Sequence, residues 1–220
     1  MPVSFCALGW RRFLLQTYAS ARPYLYHLTH QDNLNHLREM ARIIPAAILM
    51  QRAGRADLLR TRRRGYVRLT AQGKLIVLRD QKPLYKGNAK LPRGYTFEDF
   101  IESLNRRVFF WPGNEMGPIE YGIRHFRCYE RDHPIILRVS YEGLVRENPA
   151  VEPRFCRYNS GSPRCSSGRK IPRGPETFLS AADFDGTPSR VVEVTFENEI
   201  ALPTGTEFAR RPGGPWRSLF

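Results

Sequence analysis

Hydrophobic and polar positions alternate over residues 24–30, a pattern typical of a short β-strand that is rich in aromatic side chains. Apolar residues then recur at helical spacing from Leu34 onward, and Asp32 or Asn33 can cap the first turn of that helix. The pattern therefore predicts a strand that turns directly into a helix.

The end of this predicted strand carries His27, Thr29 and His30, next to the helix N-terminus. Backbone N–H groups and the helix dipole favour negative charge at such a place, so the joint can hold a polyanionic ligand. The alternative is an ordinary strand–helix joint whose histidines face solvent.

Further elements follow from periodicity, turn residues and caps. Thr96 is expected to cap a helix with a buried stripe at Phe97, Phe100, Ile101 and Leu104. The other expected helices cover residues 5–20, 46–52 and 119–129, and the other expected strands cover residues 66–70, 74–78, 107–111, 134–140 and 190–196.

Three segments lack this regularity. Residues 52–65 are dense in arginine and are expected to form a solvated insertion, with a phosphate-binding surface as the alternative. Residues 148–188 are expected to form a long polar loop that is either functional or partly disordered, and residues 212–220 a flexible tail. Because no regular βαβ alternation is present, we expect one α+β domain over residues 1–211.

Composition adds a strong charge to this picture. The 220 residues are 41% hydrophobic and 12% aromatic, which is typical of a globular protein. They include 35 Lys and Arg against 21 Asp and Glu, a net charge of +14. Such an excess favours nucleic acid, an anionic membrane or an acidic protein as partner.

Several classes of protein are disfavoured. The cysteines at positions 6, 128, 156 and 165 form no C-x-x-C pair, which argues against a structural zinc site. No secretory signal and no run of about 20 apolar residues is present, so we expect a cytoplasmic protein with reduced thiols and no membrane span. P-loop, G-x-G-x-x-G, H-E-x-x-H and G-x-S-x-G motifs are also absent.

Glu193 is the most informative carboxylate. It interrupts the predicted strand 190–196, which is otherwise apolar. A charge embedded in such a strand costs several kcal/mol unless it is paired or functional. The alternative is an edge strand that carries Glu193 and Thr195 into water.

The order of these features resembles the ADP-ribosyltransferase family. In DarT-type enzymes, which modify single-stranded DNA, the first strand and turn read His-Ile-Thr-His-x-x-Asn-Leu, close to residues 27–34. Their aromatic strand is similar to residues 108–111, and their catalytic glutamate lies in a late strand after a substrate-reading loop, which corresponds to Glu193.

This resemblance implies a split, mixed β-sheet with flanking helices, and an NAD-dependent transferase that acts on single-stranded DNA or RNA. It further implies a toxin or phage-defence setting, with an antitoxin protein as partner. Breaking the nicotinamide–ribose bond develops an oxocarbenium-like cation, which a carboxylate stabilises.

The resemblance also assigns roles to single residues. The implied catalytic residues are Glu193 with Arg79 or Arg124, either of which fits the family's arginine. The implied cofactor-binding residues are His27, Thr29, His30, Asn33, Phe110 and Tyr121. The implied substrate-binding residues are Arg157, Asn159, Ser160 and Arg164, and no metal is implied.

Two alternatives stay open beside this hypothesis. One is a non-catalytic, basic nucleic-acid-binding domain in which Glu193 is inert, and the other is an enzyme similar to RNA 2′-phosphotransferases. The whole chain is also similar to a bacterial family of unassigned activity that carries the segments Leu-Arg-Asp-Gln (78–81), Leu-Asn-Arg-Arg-Val-Phe-Phe-Trp-Pro (104–112) and Arg-Tyr-Asn-Ser-Gly-Ser-Pro-Arg-Cys (157–165).

Overall fold

The structure is a computed structural model that describes residues 16–166 and 168–220. Most of the helix predicted over residues 5–20 lies outside the described residues, but residues 16–21 are helical. Cys6 also lies outside the described residues. Cys128, Cys156 and Cys165 carry free thiols.

Helices and strands alternate irregularly along the chain. In chain order, helices α1 to α6 comprise residues 16–21, Leu34–Met40, Ala46–Arg52, Phe97–Asn105, Glu120–Arg127 and Tyr141–Glu147. Strands β1 to β15 comprise Tyr24–His30, Arg42–Ile43, Val67–Ala71, Lys74–Leu78, Ala89–Lys90, Arg107–Asn114, Gly117–Pro118, Pro134–Ser140, Arg154–Cys156, Cys165–Ser166, Arg169–Pro172, Glu193–Glu197, Ile200–Ala201, Glu207–Ala209 and Arg217–Ser218.

The main sheet has the strand order β15-β14-β8-β1-β6-β12-β9, with β7 paired to β6, and its recorded pairings are antiparallel. Among the described strands, the recorded parallel pairing joins β11 to β5 in a separate small sheet. The predicted α+β class and the single compact domain are therefore confirmed.

The local sequence explains α4 well. The Thr96 hydroxyl accepts a hydrogen bond from the Asp99 amide at 3.0 Å, and the Asp99 carboxylate accepts one from the Thr96 amide at 2.8 Å. This reciprocal pair satisfies two backbone donors that the helix itself cannot. The expected stripe from Phe97 to Leu104 is buried.

The start of α2 differs from the expectation. The Asp32 amide is bound by His30 Nδ1 at 3.2 Å, and Asn33 makes no side-chain cap. Residues Gln31–Asn33 form a 3₁₀ turn instead. The Asn33 side chain is occupied by a tertiary contact with β4, which a local pattern cannot reveal.

The arginine-dense segment 52–65 is mostly exposed, as expected of a solvated insertion, but Arg60, Arg62 and Arg63 contact the rest of the domain. The guanidinium of Arg63 donates to the Asn105 side chain at 2.6 Å and to the Arg79 carbonyl at 2.8 Å. Arg62 donates to the Lys82 carbonyl at 3.0 Å, and Arg60 to Asp99 at 2.6 Å. These arginines tie the segment to the body of the domain.

Two other irregular segments are more ordered than expected. The polar stretch 148–188 contains β9, β10 and β11, of which β9 belongs to the main sheet. Residues 212–220, the expected flexible tail, contribute β15 and the buried Leu219. Trp216 packs on the Tyr26 ring at a centroid distance of 5.7 Å.

The main sheet opens between its two central strands. β1 pairs with β8 along its whole length, but it pairs with β6 only from Tyr24 to Tyr26. The other half of β6 pairs with β12, from Arg107 to Phe110. β1 and β6 therefore separate beyond the Tyr26–Trp111 pair.

Of the described helices, none is long and apolar enough to span a membrane.

Candidate functional site

A cavity of about 220 Å³ lies where β1 and β6 separate. Its wall includes His27, Thr29, Arg79, Trp111, His125 and Glu193. A cavity of about 150 Å³ is enough to hold a benzene ring, so this one is large enough for an aromatic ring with polar substituents. The mixed lining, aromatic and charged, suits such a ligand better than a purely apolar one.

Glu193 reaches the cavity because of its register in the sheet. Val194 and Phe196 of β12 pack in the hydrophobic core with Phe110, so Glu193 and Thr195 point to the opposite face. β12 lies between β6 and β9, and Glu193 is only 3% exposed. The alternative of a solvent-facing edge strand is therefore wrong.

The carboxylate of Glu193 is held by one residue of the preceding loop. The Ser160 amide and the Ser160 hydroxyl both donate to Glu193 Oε2, at 2.8 and 2.6 Å. Burial raises the pKa of Glu193 to about 7, although the Ser160 hydrogen bonds and the Arg173 charge act in the opposite direction. The group thus titrates near neutral pH.

Two histidines of the cavity are kept neutral. Burial lowers the pKa of His27 to about 4 and the pKa of His125 to about 3. His27 Nδ1 donates to the Phe109 carbonyl at 2.9 Å, across the opening between the strands. The Asn159 amide nitrogen donates to His125 Nδ1 at 3.3 Å. Both rings are thus oriented, uncharged hydrogen-bonding groups at neutral pH.

Arg79 follows the end of β4 and enters the same cavity. Its guanidinium lies 4.8 Å from the centre of the Tyr129 ring, and burial lowers its pKa. No ion pair is recorded for it within residues 16–166 and 168–220. A cation without a carboxylate partner in a cavity is suited to an anionic ligand.

Asn33 organises the wall rather than offering free donors. Its amide nitrogen donates to Thr29 Oγ1 and to the Val77 carbonyl, both at 2.9 Å. Its oxygen accepts from the Val77 amide at 2.8 Å. These three hydrogen bonds fix β4, and with it Arg79, next to β1.

Six of the residues singled out from the sequence meet at the cavity, and a seventh binds one of them. The six that line the cavity are His27, Thr29, Asn33, Arg79, Asn159 and Glu193, and the seventh is Ser160.

Three of the residues assigned to the cofactor do not line the cavity. His30 lies on the other face of β1, against Tyr66 and His133. Phe110 is buried in the core against Phe196. Tyr121 is 51% exposed on α5.

Three of the assigned arginines also lie elsewhere. Arg124 forms an exposed ion pair with Glu120 at 2.8 Å and does not line the cavity. Arg157 is paired with Asp185 and stacks on Phe184. Arg164 is exposed and does not line the cavity.

Sequence reasoning missed Trp111 and His125 as site residues. Their rings lie 5.0 Å apart, and α5 approaches Trp111 closely because Gly122 has no side chain. A Cβ at position 122 would lie 2.9 Å from Trp111 Cγ. Alternation along β6 could have found Trp111, since it shares a face with Phe109.

Arg173 was also missed, and no local signal marks it. It is 2% exposed and donates to backbone carbonyls of Asn159, Ser160 and Pro172 at 3.1, 3.3 and 3.0 Å. Its guanidinium also lies 4.9 Å from the centre of the Tyr158 ring.

Within the described residues, no group of three or more His, Cys, Asp or Glu could hold a metal ion.

Comparison with known proteins gave one match. No curated protein and no solved structure matches the chain significantly. One family model matches residues 23–204, a range that holds the opening between β1 and β6, the cavity and Glu193. The chain is thus a member of the Family of unknown function (DUF7002).

Proposed function

We propose that this protein is an NAD-dependent ADP-ribosyltransferase that modifies single-stranded DNA or RNA, with an ADP-ribosyltransferase-like split sheet. The observation that carries the proposal is the buried Glu193 carboxylate, in the same cavity as Arg79, a cation that forms no ion pair with the described residues. The cavity lies where β1 and β6 separate, as a split sheet requires.

The charges of the cavity fit a dinucleotide with a cationic ring. NAD supplies an activated ADP-ribose whose bond to the positively charged nicotinamide can be broken. Glu193 provides a carboxylate for the positive charge that develops on the ribose as that bond breaks. A cationic ring beside Glu193 also favours its ionised form, and so lowers its pKa from about 7.

The other groups fit the remainder of such a ligand. Arg79 offers hydrogen bonds and charge to a pyrophosphate. The neutral rings of His27 and His125 offer hydrogen bonds, and the Trp111 ring offers a stacking surface. Because Arg124 is exposed and paired, we assign the arginine role to Arg79.

The acceptor is inferred from charge. A net charge of +14 favours a polyanion. Exposed basic residues flank the loop that holds Glu193, and these are Arg164, Arg169 and Lys170. A nucleic-acid strand bound there would bring its bases towards Glu193.

The test is transfer of label from NAD carrying ³²P in its adenylate half. Purified protein is incubated with single-stranded DNA, RNA or cell protein, and each fraction is counted. We expect label on nucleic acid, and a loss of about 100-fold or more in Glu193→Gln, since removing one transition-state contact commonly costs that much. Glu197→Gln, at the exposed end of the same strand where the carboxylate pairs with Arg107, is the control and should keep most of its activity.

Other outcomes favour the other functions. If oligonucleotides bind but no label is transferred and NAD does not bind, the protein is a basic nucleic-acid-binding domain. If NAD is consumed while RNA loses a 2′-phosphate, it is an RNA 2′-phosphotransferase. Label on protein alone would reject nucleic acid as the acceptor.

A further inference from the structure

Arg173 is a buried cation that makes no ion pair recorded for the described chain, yet it is fully engaged with backbone. Its guanidinium donates to three carbonyls, two of which belong to Asn159 and Ser160. Those two residues are the ones whose other groups contact His125 and Glu193. Arg173 therefore lies behind the loop that carries the donors of the site.

The position of Arg173 is itself fixed from a different direction. Its backbone amide donates to the Lys90 carbonyl at 2.8 Å, which extends the parallel pairing of β11 with β5. The Tyr158 ring packs on its guanidinium. A planar group that donates to several acceptors at fixed angles holds a loop more rigidly than a point charge does.

We propose that Arg173 is a positioning residue for Glu193: it holds the Asn159–Ser160 backbone so that the Ser160 donors stay on the carboxylate. The positive charge of Arg173 acts in the same direction, because it favours the ionised form of Glu193. The role of this ionised form in transfer rests on the proposed function, whereas the positioning of Glu193 does not.

Other titratable groups surround Glu193 and stay in place in the test below. Cys156 of β9 is its neighbour in the sheet. The cavity adds His27 of β1, His125 of α5, Arg79 and Arg107. Because none of these is altered, a change in the pKa of Glu193 reports on Arg173 and its loop.

The experiment is an NMR titration of protein that carries ¹³C in its glutamate carboxyl groups, with Glu193→Gln used to assign the resonance of Glu193. In Arg173→Met we expect the pKa of Glu193 to rise by about one unit, since both a nearby charge and the Ser160 hydrogen bonds are lost. Arg157→Met, on the same loop but paired with Asp185, is the control and should leave that pKa unchanged.

A second readout separates positioning from charge. In the wild-type protein the Ser160 amide donates to Glu193, so its ¹⁵N shift should follow the titration of Glu193. In Arg173→Lys, which keeps the charge but loses the planar donor set, we expect the Ser160 shift to stop following it. Should Arg173→Met not fold, Arg173→Lys decides the question.

The proposal is overturned if Arg173→Lys leaves both the pKa of Glu193 and the response of the Ser160 amide unchanged. Its failure is distinct from that of the proposed function, because the titration needs no NAD. If the Arg173 variants titrate as expected but the wild-type protein transfers no label, the proposed transferase activity is rejected and the positioning role of Arg173 is kept. If the wild-type protein does transfer label, the pH–rate profile of Arg173→Met should be shifted to higher pH relative to that of the wild type.

Discussion

At the scale of single residues, the cavity combines acidic and basic groups whose pKa values are shifted in opposite directions by the same cause, which is burial. Burial raises the pKa of Glu193 towards neutrality and lowers the pKa values of His27 and His125 well below it. All three shifts favour the uncharged form. Such clustering of shifted groups in a cavity is typical of functional sites.

The shift of Glu193 has a consequence for stability. Its folded-state pKa of about 7 lies above its ordinary value of 4.5, so the folded protein keeps a proton that the unfolded chain releases. Wild-type stability from this group therefore falls as the pH rises from 4.5 to about 7. Glutamine has no proton to lose. The free energy of unfolding of Glu193→Gln relative to wild type should therefore rise over this interval, by up to about 3 kcal/mol.

Urea unfolding of both proteins, at about pH 5 and about pH 8, measures this difference. Groups that titrate equally in both proteins cancel in the comparison. A difference that stays constant between the two pH values would mean that Glu193 is already ionised when buried.

The prominence of Glu193 could be predicted from sequence because a charge within an apolar strand is a local conflict. The residues that hold Glu193 in place could not be predicted in this way. Ser160 and Arg173 lie 33 and 20 positions away along the chain, and neither stands out from the polar residues around it. Their roles follow from loop geometry, which depends on tertiary contacts rather than on residue type.

At the scale of elements, asparagine side chains attach strands to neighbouring helices. Asn33 exchanges two hydrogen bonds with Val77 of β4. Asn148, after α6, exchanges two with Ala201 of β13, at 2.9 and 2.8 Å. Each amide replaces the backbone partner that a neighbouring strand would otherwise provide. The two contacts form a natural pair, one at the cavity and one away from it.

Asn33→Ala and Asn148→Ala should therefore destabilise the fold similarly but differ at the site. We expect each to lower the free energy of unfolding by about 2 kcal/mol, because each leaves backbone groups unpaired. Only Asn33→Ala should also move the amide resonances of Thr29 and Arg79. Urea unfolding and ¹H–¹⁵N spectra measure the two effects. Equal changes at those resonances in both variants would contradict the role assigned to Asn33.

Elements with strong local signals were predictable, and their ends were less so. The cap and stripe of α4 lie within ten consecutive residues, so they are visible in sequence. The cap expected for α2 was wrong because Asn33 binds β4 instead. The order of strands in the sheet was also beyond reach, because neighbouring strands such as β1 and β8 are far apart in sequence.

At the scale of the whole molecule, residues 217–219 are part of the main sheet and the core. Leu219 is 2% exposed within the main hydrophobic core, whereas Phe220 beside it is 48% exposed. The Arg38 side chain donates to the Leu219 carbonyl at 3.1 Å. Chain ends often fray, and the Pro- and Gly-rich residues 212–215 suggested the same here. The burial of Leu219 and the hydrogen bond from Arg38 hold this segment in place despite its Pro- and Gly-rich composition.

We therefore expect Leu219→Ala to lower the free energy of unfolding by about 2 to 4 kcal/mol, because a buried side chain leaves a cavity. Phe220→Ala should change it by less than about 0.5 kcal/mol. Thermal unfolding followed by circular dichroism compares the two variants, with a drop in Tm of several degrees expected for the first. Similar Tm values for both would show that the end of the chain is not part of the core.

The short strands at the two margins of the main sheet bear on how the protein behaves in concentrated solution. β15 has two residues and β9 has three, and β9 is further covered by the bridge between Phe155 and Leu179. Long, open margins recruit strands from other molecules and promote aggregation. By ending in such short strands, the sheet offers little backbone for that association.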